Sequence, residues 1–303
     1  MIFLFCAILS SSAVALILKY TESRDYRRMP IVAANYLAAS ALSVILAGGT
    51  LLPGRTSGDI FGSFFAEATS VFSGGGIFSA DAGGAWAIVW GIPSGLLYFL
   101  GLISIQRSIR ESGVGITGAF SKSAILIPIL VSVLLWHERP TAWQWGGIIL
   151  TFVAIALSQS GKGSGQAKVG LSLILMFLAV GSAELSNKVF QQYALPQYKE
   201  LFLFTVFFIA FLIATAALFL ERGRPNMKEF VAGIAVGVPN LFSSYFLIQA
   251  FATLNASVVF PFYSAGSIAL ITLGGVALFG ERPTRREYGA IAVVLAAIVL
   301  MGG

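Results

Sequence analysis

The chain has 303 residues, 57% of them hydrophobic and 11% charged, with a formal charge of +6 and a mean hydropathy of +0.87. Soluble domains carry about 25% charged residues, so a water-solvated globular domain is excluded, and a single cysteine, Cys6, excludes an internal disulfide or a thiolate metal cluster. At about 20 residues per crossing the length admits roughly ten membrane helices in one membrane domain, and the basic residues lie in short loops, where they orient a membrane chain rather than mark a nucleic-acid surface.

The apolar runs predict spans at 1–18, 29–48, 86–107, 113–136, 142–160, 168–190, 200–220, 228–251, 255–279 and 285–302. The first run has no charged segment before it and reads as a span rather than a removable signal. Residues 49–85 form a long connection containing Gly74-Gly75-Gly76 and Gly83-Gly84. Its middle, Ile60 to Phe72, is apolar apart from Glu67 and predicts a short interfacial helix; a re-entrant piece, its backbone covered by protein or a water-filled cavity, is the alternative. Ser160-Gly161-Lys162-Gly163-Ser164-Gly165 is a flexible linker by composition. It separates a first five-helix half, 1–160, from a second, 166–303.

The two halves look alike. Glu138-Arg139-Pro140-Thr141 recurs as Glu281-Arg282-Pro283-Thr284, each followed at the same distance by glycine, Gly146 and Gly289. The same shift aligns Gln106 with Gln249, Ser112 with Asn255, and Phe120-Ser121 with Tyr263-Ser264; a three-residue slip aligns Gly91-Ile92-Pro93 with Gly237-Val238-Pro239. With an odd number of spans per half, the copy enters the membrane from the opposite side. The expected fold is all-α integral membrane, ten transmembrane helices as two inverted five-helix repeats around a central cavity, the usual construction of a secondary transporter. Fourteen of the 19 Lys and Arg fall in the loops after the odd-numbered spans, which by the positive-inside rule places both termini outside the cytoplasm.

The paired repeats, each closing in Glu-Arg-Pro-Thr with glycine eight positions after the Glu, resemble the EamA-type branch of the drug/metabolite transporter superfamily over nearly the whole chain. Ala7-Ile8-Leu9 through Lys19-Tyr20-Thr21-Glu22, and Phe279-Gly280-Glu281-Arg282, are similar to segments of the small multidrug resistance family. The resemblance implies a cavity lined by spans one, three, four, six, eight and nine, with five and ten as scaffold, and export of amino acids, drugs or metabolites. It also implies cytoplasmic termini, against the charge count. Ser11 stands where the small multidrug family carries its proton-binding Glu, so that role does not transfer, though Ser11 remains a polar candidate for solute contact.

Lys122 lies near the middle of the fourth span, where a charge costs ~2.5 to 3.5 kcal/mol. One reading is a cavity ammonium that pairs with a solute carboxylate or phosphate; the other is an internal ion pair within the bundle. Glu184, followed by Asn187 and Lys188, could take a coupling proton or form an i,i+4 pair with Lys188. By depth, Lys122 and Glu184 stand too far apart for direct pairing, and a zwitterionic solute could bridge them. Phe120 and Tyr263 occupy the repeat position that resembles the cavity Trp of the small multidrug family, against a filler role for the Phe. Asn187, Gln106, Gln249, Asn240 and Tyr245 are further polar candidates, as is Asn35, though amides also tie helices together.

Pro93, Pro239 and Pro261 are candidate hinges, and Pro128 also interrupts a span. The Glu-Arg-Pro-Thr corners read as structural, with proline opening the next helix and the later glycine allowing close packing. No metal, cofactor or nucleic acid is expected; His137 reads as an interfacial residue. The expected function is secondary transport, export in direction, of an amino acid or related anionic or zwitterionic metabolite across the inner membrane, by alternating access driven by a proton gradient or by exchange, in a monomer or alternatively a dimer. Multidrug efflux, a membrane-embedded transferase and a sensor are the alternatives; no catalytic motif points to an enzyme.

Overall fold

A computed structural model describes residues 1–48, 60–159, 171–221, 226–280 and 285–302. The linker at 160–165 and the Glu281–Thr284 corner lie outside the described residues, as do the side chains of Gln106 and Phe120. Among the described residues the regular structure is helical: α1 (Ile2–Glu22), α2 (Arg28–Leu46), α3 (Ile60–Gly74), α4 (Ala80–Ser123), α5 (Leu126–Leu135), α6 (Ala142–Gln159), α7 (Leu171–Tyr193), α8 (Lys199–Leu220), α9 (Met227–Phe251), α10 (Ala256–Phe279) and α11 (Arg285–Gly302). Seven of these are long and apolar enough to cross a membrane.

Most bounds fall within a few residues of the predicted spans, because the end signals are local. Gly280 closes α10 in the left-handed region at φ 64°, its N–H bonding back to Gly275 and Val276. The connection 49–85 contains the expected helix, α3, fixed by Glu67: its two oxygens accept the Ser79 N–H at 2.9 Å and hydroxyl at 2.6 Å, and Ser79 Oγ in turn accepts the Ala82 N–H at the start of α4. Phe64 of α3 is buried against Phe78 and Trp86.

The prediction fails between spans three and four. Instead of helices at 86–107 and 113–136 there is one 44-residue helix, α4, followed by the short α5. At about 1.5 Å per residue α4 is about 66 Å long, twice a hydrocarbon core of about 30 Å. Two local causes explain this. Arg107 Nε and Glu111 Oε1 form an i,i+4 ion pair of 2.8 Å, which carries the helix through the expected loop, where glycine is the only breaker. The break comes later, at Ala124–Ile125, because Pro128 cannot donate to the Ala124 carbonyl four residues back and its ring crowds that oxygen. The second half does break at the aligned position, between α9 and α10.

The helices gather into two compact units. One comprises Met1–Leu16, Leu100–Leu185 and Gln249–Gly303, with α6 packed along α11 and α10 against α5, α6 and α11. The other comprises Ile17–Phe99 and Ser186–Ile248, with α2 packed along α8. Each unit draws helices from both sides of the linker.

The Glu-Arg-Pro-Thr corner at 138–141 differs in detail from expectation. Helix α6 starts at Ala142, so Pro140 precedes the cap instead of occupying the first helical position. Thr141 is the cap: its Oγ1 accepts the Gln144 N–H at 3.2 Å while Gln144 Oε1 accepts the Thr141 N–H at 2.9 Å, a capping box. Glu138 reaches another helix, accepting the N–H groups of Ala256 and Ser257 at 3.1 Å each and so capping α10. Among the described residues Gly146 is not a close-packing site, since a Cβ there would meet only Leu300 at 3.8 Å, and nothing lies within 4 Å at Gly289.

Candidate functional site

Within the first unit the break after Ser123 positions Lys122. It sits in the last turn of α4, where the helix dipole favours a cation, so the helix end itself helps hold an ammonium among apolar neighbours. Helix α7 comes close to this break because Gly181 lacks a side chain: a Cβ there would lie 2.6 Å from the Ala124 carbonyl oxygen and 2.5 Å from Ile127 Cδ1. Glu184, one turn further along α7, is thereby brought to Lys122, and each side chain feels the charge of the other. Both are half-buried. Lys122 and Glu184 would be too far apart only along two parallel, unbroken spans, and the break at Ala124 interrupts one of them. Lys188, the alternative partner of Glu184, donates to Gln191 Oε1 at 3.4 Å.

The same unit holds Tyr263, buried on α10, and Ser11 and Gln249, both half-buried on α1 and α9. Pro261 lies inside α10 without interrupting it.

The second unit holds the other polar candidates. Asn187, 1% exposed, donates through Nδ2 to the Tyr98 hydroxyl at 2.8 Å, and that hydroxyl lies 3.0 Å from Ser244 Oγ. Among the described residues, Asn187 Oδ1 is buried with no hydrogen-bond partner. The Tyr36 hydroxyl donates to the Tyr98 carbonyl at 3.3 Å, and Asn240 Nδ2 donates to Asn35 Oδ1 at 3.0 Å, so Asn240 acts as an interhelical tie. Tyr245 lies under Lys199 Nζ, 5.0 Å from the ring centre, and Lys199 also pairs with Glu200 at 2.7 Å. Pro93 and Pro239 lie inside α4 and α9.

Tyr98, Ser244 and Tyr36 escaped the sequence reading. One signal was present: Trp90, Ser94 and Tyr98 recur every four residues and share one face of α4. That face runs along α7, where Trp90 Nε1 donates to the Ser186 carbonyl at 3.0 Å.

Length, composition and the seven apolar helices define the class: an all-α membrane protein. No known family's sequence profile matches the chain. It is 26% identical over 303 residues to an uncharacterized protein of Haemophilus influenzae strain Rd, with 97% of this chain and 95% of that one covered. A crystal structure of another protein superposes with a TM-score of 0.71 at 16% identity, over 99% of this chain and 94% of the other, which is a likeness of fold alone.

Proposed function

We propose that the protein is a multi-pass carrier of a cell membrane, moving a small anionic or zwitterionic organic solute, such as an amino acid, by alternating access. The observation that carries this reading is the Lys122–Glu184 relationship: two ionisable groups on apolar helices, each within electrostatic reach of the other, at a helix break. Ionisable groups at membrane depth are rare and mark solute or proton paths. A solute carboxylate that engages Lys122 takes the counter-charge from Glu184, so solute binding and proton uptake by Glu184 are coupled through one lysine. That coupling carries proton and solute in the same direction, or exchanges one solute for another.

The fold is consistent with inverted repeats. Helix α2 packs along α8 and α6 along α11, each pair joining corresponding helices of the two sequence halves.

The test is transport by the purified protein in liposomes, with amino acids and related carboxylates as solutes, with and without a pH gradient. Saturable movement of an anionic or zwitterionic solute is expected. Binding without movement, with accumulation of a chemically altered product, would replace the carrier reading by an enzyme.

A further inference from the structure

A groove of about 390 Å³ opens in the second unit between the last turns of α1 and the first turns of α9. That volume falls within the roughly 300–1,000 Å³ of small-molecule sites. Its walls are apolar, with Ile17 on α1 and Val231 and Ala235 one turn apart on α9. Its mouth carries Tyr20, Tyr26 and Lys228. Arg24 lies over the Tyr20 ring, 5.3 Å from its centre, which brings a second cation to the same end.

Asp25, exposed beside Arg24, is one carboxylate against these two cations, and the other carboxylates nearby are engaged. Glu22 pairs with Arg28 at 3.1 Å and Glu221 with Arg27 at 3.2 Å. Glu229 is buried, its two oxygens accepting the N–H groups of Arg27 at 3.0 Å and Asn226 at 2.8 Å. The result is a polarised site, apolar along its length and cationic at one end, with two tyrosines at the boundary as is usual where a membrane meets water. Val231 is 57% exposed, on a helix long and apolar enough to cross a membrane.

We propose that this groove binds one anionic phospholipid, its acyl chain along Ile17, Val231 and Ala235 and its phosphate between Lys228 and Arg24. A soluble phosphate would leave the apolar walls unused. A zwitterionic headgroup brings its own ammonium to the cationic mouth and is disfavoured. Each Lys or Arg near an anionic headgroup favours it by about fivefold. The site is independent of the solute path, and its failure would leave the transport reading untouched.

The experiment is native mass spectrometry of the full chain in neutral detergent, with phosphatidylglycerol and phosphatidylcholine of identical chains offered together. One phosphatidylglycerol is expected to stay bound in preference to phosphatidylcholine. Lys228→Gln should cut that preference about fivefold, and Ala235→Trp should abolish retention by filling the groove. Val231→Trp fills it from a different position on the same wall, and thermal unfolding of each variant establishes that it is folded. Equal retention of the two lipids, or phosphatidylglycerol retained by both filled variants, overturns the proposal. So does displacement of the lipid by inorganic phosphate alone, which would mark an anion site without a chain site.

Discussion

Gly237 of α9 lies directly against the main chain of Asn35 in α2: a Cβ at Gly237 would sit 2.5 Å from the Asn35 carbonyl oxygen. Its repeat counterpart Gly91 on α4 lies as close to a side chain of α8, a Cβ there falling 2.7 Å from Thr205 Cβ. The glycine that precedes proline in both halves is thus a close-approach residue, and its neighbours are the paired helices α2 and α8.

Gly237→Leu must therefore push α9 off α2. A loss of about 1–3 kcal/mol is expected, read as a lower thermal unfolding midpoint in a fixed detergent. Gly146→Ala, which meets only Leu300 at 3.8 Å, is the control and should be neutral or slightly stabilising. An unchanged midpoint for Gly237→Leu would show that the two helices do not pack at this distance.

Glu138 provides the second prediction. Glu138→Ala removes the acceptor of the Ala256 and Ser257 N–H groups and should cost about 0.5–2 kcal/mol, the usual effect of losing a helix N-cap. Glu138→Gln keeps one acceptor oxygen and should lose less. Amide exchange at Ala256 and Ser257 is the direct readout, and protection unaltered by Glu138→Ala would count against the contact.

Lys122 and Glu184 give a prediction with two readouts. Lys122→Ala should lower transport of an anionic solute by about 10- to 100-fold, the loss of a charge-assisted contact. Lys122→Arg should keep part of it, since charge is retained but fit is altered. Removing one partner strands the other charge among apolar helices and lowers stability, so Lys122→Met combined with Glu184→Gln should recover stability without recovering transport. Wild-type transport by the double variant would make the pair structural.

Glu111 predicts an acid effect outside the membrane segments. The Ser172 hydroxyl and then the Arg107 guanidinium hold its carboxyl below the ordinary value of 4.5. In the unfolded chain it takes up its proton first as pH falls. Its stabilisation of the contact between α4 and the start of α7 is therefore present above pH 4.5 and lost as pH drops through the lower, folded value. Glu111→Gln should remove this component of acid sensitivity, measured as unfolding midpoints between neutral and acid pH. An identical pH profile for the variant would mean that Glu111 contributes nothing there.

Much of this was legible in the sequence. Helix bounds depend on runs of apolar residues and on local signals such as Thr141, Gln144 and Gly280, and these act within one turn. Composition alone determined that lipid, and not water, is the main solvent, because transferring so many apolar side chains to water is unfavourable. Tertiary structure decided what depends on long-range geometry. The helix break imposed by Pro128 and the bare backbone of Gly181 bring Lys122 and Glu184, 62 positions apart, within electrostatic reach, although their depths counted along ideal spans kept them separate. It also assigned Glu138 to α10 and closed the Asn187–Tyr98–Ser244 network, since a side chain's partner across helices is set by packing and not by its neighbours in the chain.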